Sequence, residues 1–212
     1  MDVLNFLFRW AHLLFGIIWI GLLYYFNFVQ GGYFKKASPE GLADAKAKLA
    51  PSALWWFRWG AMATFLTGVV LLIGVYHVMR LNNYIVIGSI LGTLMFLNVW
   101  LVIWPNQKIA LGLESGNSAV AAAKALLASR TNTLFSAPMA YCMLYSAHPV
   151  SSGYQSVYTD SGLKSLLIPL IIIALLEINA LKGKQGPLTT VNGVIGSSLV
   201  LTAVLVAVIE LL

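Results

Sequence analysis

Residues 84–104, YIVIGSILGTLMFLNVWLVIW, carry no charged side chain and end directly before Pro105. A membrane-spanning helix needs about 20 predominantly apolar residues, so this stretch is long enough to cross a bilayer. The whole chain of 212 residues has the same character, with 59% hydrophobic and only 9% charged residues. An average soluble domain has roughly 25% charged residues. The sequence therefore excludes a soluble or disordered chain and predicts an all-α integral membrane protein.

Six segments of this kind predict a six-helix transmembrane bundle that forms a single membrane domain over residues 1–212. The expected helices cover residues 3–29, 53–79, 84–104, 131–147, 164–181 and 189–212. The fourth is short, and the alternative is that it continues a helix begun in the Ala-rich run 117–130. Long continuous apolar runs favour helices over the alternating pattern of membrane strands. The first run is too long for a signal peptide, and no small-residue cleavage site follows it, so we expect a spanning helix there. Small residues four apart, as in Gly60-Thr64-Gly68 and Gly88-Gly92, indicate close helix packing.

The distribution of positive charge predicts how this bundle is oriented. The loops at residues 30–52, 105–130 and 182–188 lie on one face and carry most of the 13 lysines and arginines. Because such residues are retained on the cytoplasmic side, we expect these loops in the cytoplasm and both termini on the non-cytoplasmic side. The formal charge of +6 therefore reflects membrane topology and gives no reason to expect a nucleic-acid partner.

The three histidines are candidates for binding a metal or a cofactor. His12, His77 and His148 all fall toward the outer face of the predicted bundle, and His12 lies deepest in it. A buried imidazole is costly unless it is paired, and Arg9 lies one turn nearer the surface, where it could meet a haem propionate. We therefore expect haem b at His12, with His77 or His148 as further metal ligands. The alternative is a histidine that hydrogen-bonds to a neighbouring helix, since His12 and His77 differ by roughly 8–10 Å in depth.

Polar residues also collect near the predicted cytoplasmic side. Arginine suits a planar anion and tryptophan offers a stacking surface, so this set predicts a substrate pocket open to the cytoplasm. The alternative is an aromatic belt with snorkelling arginines and one structural ion pair, in which Glu177 pairs with Arg58 or Arg130. The residues concerned are Arg58, Trp59, Asn98, Asn106, Arg130, Asn132, Glu177 and Asn179.

Several short motifs occur in one order along nearly the whole chain. They are RWAH at 9–12, GIIWIG at 16–21, WFRW at 56–59, WPNQ at 104–107, SRTNT at 129–133, PM at 138–139, EINAL at 177–181 and GK at 183–184. Together they resemble the membrane domain of the bacterial membrane-bound urate oxidase (urate hydroxylase) family. The first helix alone is also similar to small haem-carrying membrane oxidases of the protoporphyrinogen type.

The resemblance implies a protein of the bacterial cytoplasmic (inner) membrane that oxidises urate to 5-hydroxyisourate, with water as the source of oxygen. Arg58 and Arg130 would clamp the purine-like anion, Asn106 and Asn132 would orient it, and Glu177 would handle protons. The residues expected to complete the binding site are Trp59, Asn98 and Asn179. The family carries a cytochrome c domain after its membrane domain. Because this chain ends with the sixth helix, we expect a separate cytochrome c or another respiratory subunit to accept the electrons.

A second function, from a different class, is also consistent with the sequence. A chain of this length without its own cytochrome domain fits a non-catalytic accessory or assembly subunit of a larger respiratory membrane complex. The sequence leaves open whether the protein is an oxidoreductase. The two hypotheses differ in whether the protein binds haem b and a purine-like anion.

Overall fold

The computed structural model describes residues 3–148 and 157–211, apart from the side chains of 160 and 161. These residues form six long helices and one short 3₁₀ turn, Gly186–Thr189, and none of them lies in a β-strand. The predicted all-α architecture is confirmed for this part of the chain; residues 1, 2, 149–156 and 212 of the predicted domain lie outside it. The long helices are α1 (Val3–Phe34), α2 (Pro39–His77), α3 (Asn83–Ala110), α4 (Ser118–Ala147), α5 (Asp160–Lys182) and α6 (Val191–Leu211).

Five of these helices are long and apolar enough to cross a membrane. They are α1, α2, α3, α6 and the Gly162–Lys182 part of α5. Their outward surfaces carry many exposed large apolar side chains, such as Leu13 and Ile17 on α1 and Leu167 on α5. This surface is compatible with a multi-pass membrane protein. The sixth crossing and the side on which the termini lie stay predictions.

Helix α4 is less apolar than the others because it lies inside the bundle. It contacts α1, α3, α5 and α6, and every residue from Arg130 to Ser136 is buried. Neighbouring helices, and not lipid, surround this stretch, so polar side chains are tolerated where they find partners. Thr131 Oγ1 donates to the Leu127 carbonyl, and Thr133 Oγ1 donates to the Ser129 carbonyl. The predicted span 131–147 is therefore the second half of a longer helix that begins at Ser118.

Helix α3 does not end at Pro105, contrary to the prediction. Asn98–Ile103 forms a π-helical turn, and α-helix Trp104–Ala110 continues beyond it. A proline inside an α-helix removes a backbone donor and clashes with the carbonyl four residues earlier. In a π-helical turn, each backbone N–H bonds to the carbonyl five residues earlier instead of four. The ring of Pro105 is therefore accommodated, and the helix continues.

Two other boundaries differ from the predicted ones because local caps determine them. Helix α2 begins at Pro39, inside the predicted cytoplasmic loop, where the Ser38 side chain accepts a hydrogen bond from Gly41 N. A π-helical turn, Ala45–Leu49, then joins this first turn to the apolar segment. Helix α4 starts where Asn117 Oδ1 accepts from Val120 N at 3.1 Å. Both are N-cap arrangements.

The small residues that predicted helix packing lie at close helix contacts. A Cβ atom added to Gly60 would lie 3.1 Å from Ile18 Cγ2, so α1 and α2 approach closely there. A Cβ atom added to Gly88 would lie 3.1 Å from Met143 Cγ, at the contact of α3 with α4. Absence of a side chain at these positions lets the helix backbones come together. The packing prediction is confirmed at both contacts.

Candidate functional site

A chain of buried hydrogen bonds joins α3, α4 and α5 in the interior of the bundle. Asn98 Nδ2 donates to Asn132 Oδ1 at 3.0 Å and to Glu177 Oε2 at 3.1 Å. Asn132 Nδ2 in turn donates to the Met95 carbonyl at 2.9 Å. Asn98 and Asn132 are 1% and 0% exposed. We call Asn98, Asn132 and Glu177 the amide network; sequence analysis predicted all three as site residues, and the structure brings them into contact.

Two π-helical turns direct asparagines at the same part of α4. Asn98 begins the turn in α3, and Asn27 lies in the turn Tyr25–Gln30 of α1. Asn27 Nδ2 donates to Ser129 Oγ at 2.8 Å, one helical turn from Asn132. Such turns are frequent at functional sites, because the inserted residue changes which side chains face inward. Asn27 and Ser129 were missed by the sequence analysis, although a lone asparagine in an apolar run was a usable signal.

Arg130 lies between Ser129 and Asn132 in the chain and is itself buried. Its side chain is 9% exposed, and its Nε and Nη1 atoms have no hydrogen-bond partner among the described residues. Buried guanidinium donors are normally satisfied, because an unpaired buried charge is costly. Two acceptors on α1, Asn27 Oδ1 and Gln30 Oε1, are also buried and without a partner in the described part of the chain. This region of the bundle therefore offers both donors and acceptors for a ligand.

The expected ion pair between Glu177 and an arginine is not formed. The two ion pairs among the described residues are Lys48–Asp44 and Lys108–Glu114. Arg58 is half-buried, and its guanidinium carbon lies 3.9 Å from the centroid of the Trp104 ring. The prediction of this pair was wrong. The side-chain amide of Asn98 donates the hydrogen bond to the Glu177 carboxylate, and the Arg58 guanidinium makes a cation–π contact with the Trp104 ring.

Three other predicted site residues have contacts near their own backbone or on the surface. Asn106 Nδ2 donates to the Val102 carbonyl at 2.8 Å, within α3. Asn179 Nδ2 donates to the Lys184 carbonyl at 3.0 Å, and its Oδ1 accepts from Lys184 N at 3.3 Å. Trp59 is 45% exposed and meets the ring of Trp100 edge-on. None of these contacts joins the amide network.

His12 lies at the contact of α1 with α2 and is half-buried. Its Nδ1 is 2.9 Å from the Thr64 carbonyl and 3.1 Å from Thr67 Oγ1. A carbonyl only accepts, so the contact assigns the proton to Nδ1 and leaves the lone pair on Nε2. Gly68 makes room for the ring, since a Cβ atom there would lie 2.9 Å from His12 Cε1. The same backbone bond orients many metal-ligating histidines.

The other two histidines are exposed, and His77 lies far from His12 along α2. His77 is the last residue of α2 and is exposed. With a helix rise of about 1.5 Å per residue, it lies about 13 Å farther along α2 than Gly68, where His12 packs. His148 is exposed beside the Leu144 carbonyl, and Arg9 Nε donates to Asn5 Oδ1 at 2.8 Å. Within the described residues no three His, Cys, Asp or Glu side chains form a metal-binding group.

Two cavities lie beside α4. The smaller has a volume of about 240 Å³ and is lined by residues of α1, α4 and α6, among them Tyr24, Thr133 and Ser198. The larger has a volume of about 670 Å³ and lies between α5 and α6. Neither of these two is lined by Arg130 or by the amide network. Thr133 nevertheless places the smaller cavity one turn or less from Arg130 and Asn132 on α4.

Comparison with known proteins identifies the family of the chain. No curated protein and no solved structure matches it. The model of one family, described as urate oxidase N-terminal, matches residues 80–206, which is more than half of the chain. The matched segment contains Arg130 and the complete amide network, whereas His12 and Arg58 lie before it. This protein belongs to the urate oxidase N-terminal family.

Proposed function

We propose that this protein is a redox membrane protein of the urate oxidase type, and that it binds a planar, purine-like anion beside Arg130. The observation that carries the proposal is the buried guanidinium of Arg130, whose Nε and Nη1 atoms have no hydrogen-bond partner within residues 3–148 and 157–211. Arg130 is two residues from Asn132 on α4 and lies inside the segment that matches the family. A ligand with negative charge would remove the cost of leaving this cation unpaired in the bundle interior.

The neighbouring polar atoms favour a purine-like anion over a simple inorganic one. Nε and Nη1 of Arg130 carry N–H donors. Asn27 Oδ1 and Gln30 Oε1 are acceptors that receive no hydrogen bond from the described residues. Urate and its relatives present both carbonyl oxygens and ring N–H groups on one flat molecule. Charge-assisted hydrogen bonds to arginine are about twice as strong as neutral ones. Arg130 would therefore hold the charge, and the amides would orient the ring.

The amide network suits the proton chemistry of such an oxidation. Conversion of urate and water to 5-hydroxyisourate releases two electrons and two protons. Glu177 uses Oε2 to accept from Asn98, so Oε1 is available to receive a proton from the substrate or from the attacking water. In this proposal Asn98 and Asn132 hold Glu177 in position, and the electrons leave to a cytochrome c or another respiratory subunit outside the cytoplasm.

We also propose that His12 holds haem b through Nε2. The support is the Nδ1 bond to the Thr64 carbonyl and the space left by Gly68. Arg9 lies one turn away on α1 and would meet a propionate. Haem b supplies a one-electron centre when it is bound. His77 lies about 13 Å along α2 from the residue against which His12 packs, so His77 would not bind the same iron.

Ligand-induced stabilisation tests the anion site. Urate at 100 times its dissociation constant stabilises the folded protein by about 2.7 kcal/mol, and we expect a rise of about 5–10 °C in melting temperature for a chain of this size. Arg130→Lys keeps the charge but not the planar donors, so it should fold and lose this rise. Arg80→Lys, at an exposed position, is the matched control and should keep it.

Two outcomes would contradict the proposal. If neither urate nor xanthine changes the melting temperature of the wild type, the anion site is absent and the accessory-subunit function is favoured. If Arg130→Lys retains the full rise, the anion binds elsewhere. The haem proposal is tested separately by the Soret band of the purified protein, which should be present in the wild type and in His77→Ala and lost in His12→Ala.

A further inference from the structure

The larger cavity is a groove between α5 and α6 that has a polar end and an apolar end. Its volume is about 670 Å³, within the range of sites for small ligands. Asn179 and Lys184 line one end, and Ile172 and Val204 line the other. From Gly196 to Val204 it runs about 12 Å along α6, by the rise of an α-helix. One leaflet of a bilayer has a hydrocarbon depth of about 15 Å, so the groove matches one leaflet.

The polar end carries a positive charge that pairs with no acidic group in the part of the chain that the structure describes. Lys184 is exposed and forms no ion pair among the described residues. Its backbone is held at the mouth of the groove because Asn179 bonds both its N–H and its carbonyl. Lys182, two residues earlier in the last turn of α5, is a second cation close in the chain, although it does not line the groove. An occupant with an anionic group at this end and an apolar remainder would complement both parts.

We propose that this groove binds an anionic phospholipid. Its phosphate would lie at Lys184, and one acyl chain would run along Leu176 and Val200 toward Val204. Basic pockets between membrane helices attract anionic headgroups, with about fivefold in affinity for each lysine near the membrane surface. A neutral lipid or a quinone would fill the apolar end but would gain nothing from the lysine. This site is independent of the proposed anion site, because Arg130 does not line the groove.

Thermal unfolding of the full chain in a neutral detergent tests the charge requirement. Dioleoylphosphatidylglycerol should raise the melting temperature of the wild type by about 2–4 °C more than dioleoylphosphatidylcholine does, a shift typical for one modest site. Lys184→Gln should lose most of this difference. If both lipids stabilise wild type and Lys184→Gln equally, or if a quinone competes with the phosphatidylglycerol, the proposal is overturned.

The position of the acyl chain is tested by a substitution that places a larger side chain in the groove. A Cβ atom added to Gly196 meets no atom within 4 Å, so Gly196→Leu places a side chain in the groove without displacing the fold. We expect it to abolish the response to phosphatidylglycerol. Gly21→Leu is the matched control, because Gly21 also has open space and lies on α1, outside the groove. A full response in Gly196→Leu would show that the lipid lies elsewhere.

A second measurement does not depend on how Gly196→Leu folds. Ser197 lines the groove, and the native Cys142 is 0% exposed, so a Ser197→Cys variant offers one accessible thiol. Phosphatidylglycerol should slow its alkylation by a maleimide at least threefold and leave Leu175→Cys, on the exposed face of α5, unaffected. Equal rates with and without the lipid would overturn the proposed seat.

Discussion

The hydrogen bond between Asn98 and Asn132 should couple the stabilities of α3 and α4. We consider replacing each asparagine by leucine, alone and together. Asn132→Leu removes two hydrogen bonds, one from Asn98 Nδ2 at 3.0 Å and one to the Met95 carbonyl at 2.9 Å. Buried hydrogen bonds between membrane helices contribute about 0.6 kcal/mol on average and up to about 1.7 kcal/mol. Asn132→Leu should therefore destabilise the protein by about 1–3 kcal/mol.

A double-mutant cycle, which compares the wild type, the two single variants and the double variant, isolates the hydrogen bond between the two asparagines. We expect a coupling free energy of about 0.6–1.7 kcal/mol between Asn98→Leu and Asn132→Leu. The assay is thermal unfolding in detergent, in which Asn132→Leu should lower the melting temperature by about 2–12 °C. Asn192→Leu, on an exposed part of α6, is the matched control and should change it little. Additive effects of the two substitutions would refute the reasoning, because the amide network requires direct contact.

Two further predictions address helix packing and orientation. Gly88→Ala should lower the melting temperature, because its Cβ would lie 3.1 Å from Met143 Cγ and 3.3 Å from Met143 N. A Cβ at Gly92 would meet no atom closer than 3.4 Å. Gly92→Ala should therefore be neutral, or stabilise the protein by up to about 1 kcal/mol because alanine has the higher helix propensity. Equal losses in thermal unfolding would contradict this difference. A reporter enzyme active only outside the cytoplasm should work when attached at Leu212 and fail when inserted at Ala45; the reverse pattern would show that the predicted orientation is wrong.

The elements that were predictable are the helices whose exposed surfaces are apolar and therefore suit contact with lipid. The stretch from Tyr84 to Trp104 was expected to be a helix from its length and its lack of charge, and it lies within α3. A lipid-facing helix must be apolar along its whole length, so one-dimensional hydropathy is sufficient to find it. Helix α4 has other helices around it, and a helix surrounded by protein is free of this compositional rule. Only its second half was therefore assigned as a span, whereas the Ala-rich run 117–130 was an alternative start, which the structure confirms.

Helix ends were less predictable because they depend on local geometry that hydropathy does not register. Pro105 was taken as a stop signal, yet the π-helical turn before it carries α3 on to Ala110. The caps at Ser38 and Asn117 extend α2 and α4 beyond their apolar segments. In each case a backbone hydrogen bond, available only in the folded chain, overrides a preference read from residue type.

The sequence by itself determined that this is an apolar, all-helical chain with polar residues at a few membrane-depth positions. Motif similarity also pointed to its family, which the match over residues 80–206 shows. Only the tertiary structure decided which polar groups pair. Glu177 takes its hydrogen bond from Asn98 and not from an arginine, and two donors of the buried Arg130 are unpaired within the described part of the chain. Pairing depends on which helix faces meet and how far each helix is rotated, and the π-helical turns change that rotation in a way that residue spacing does not reveal.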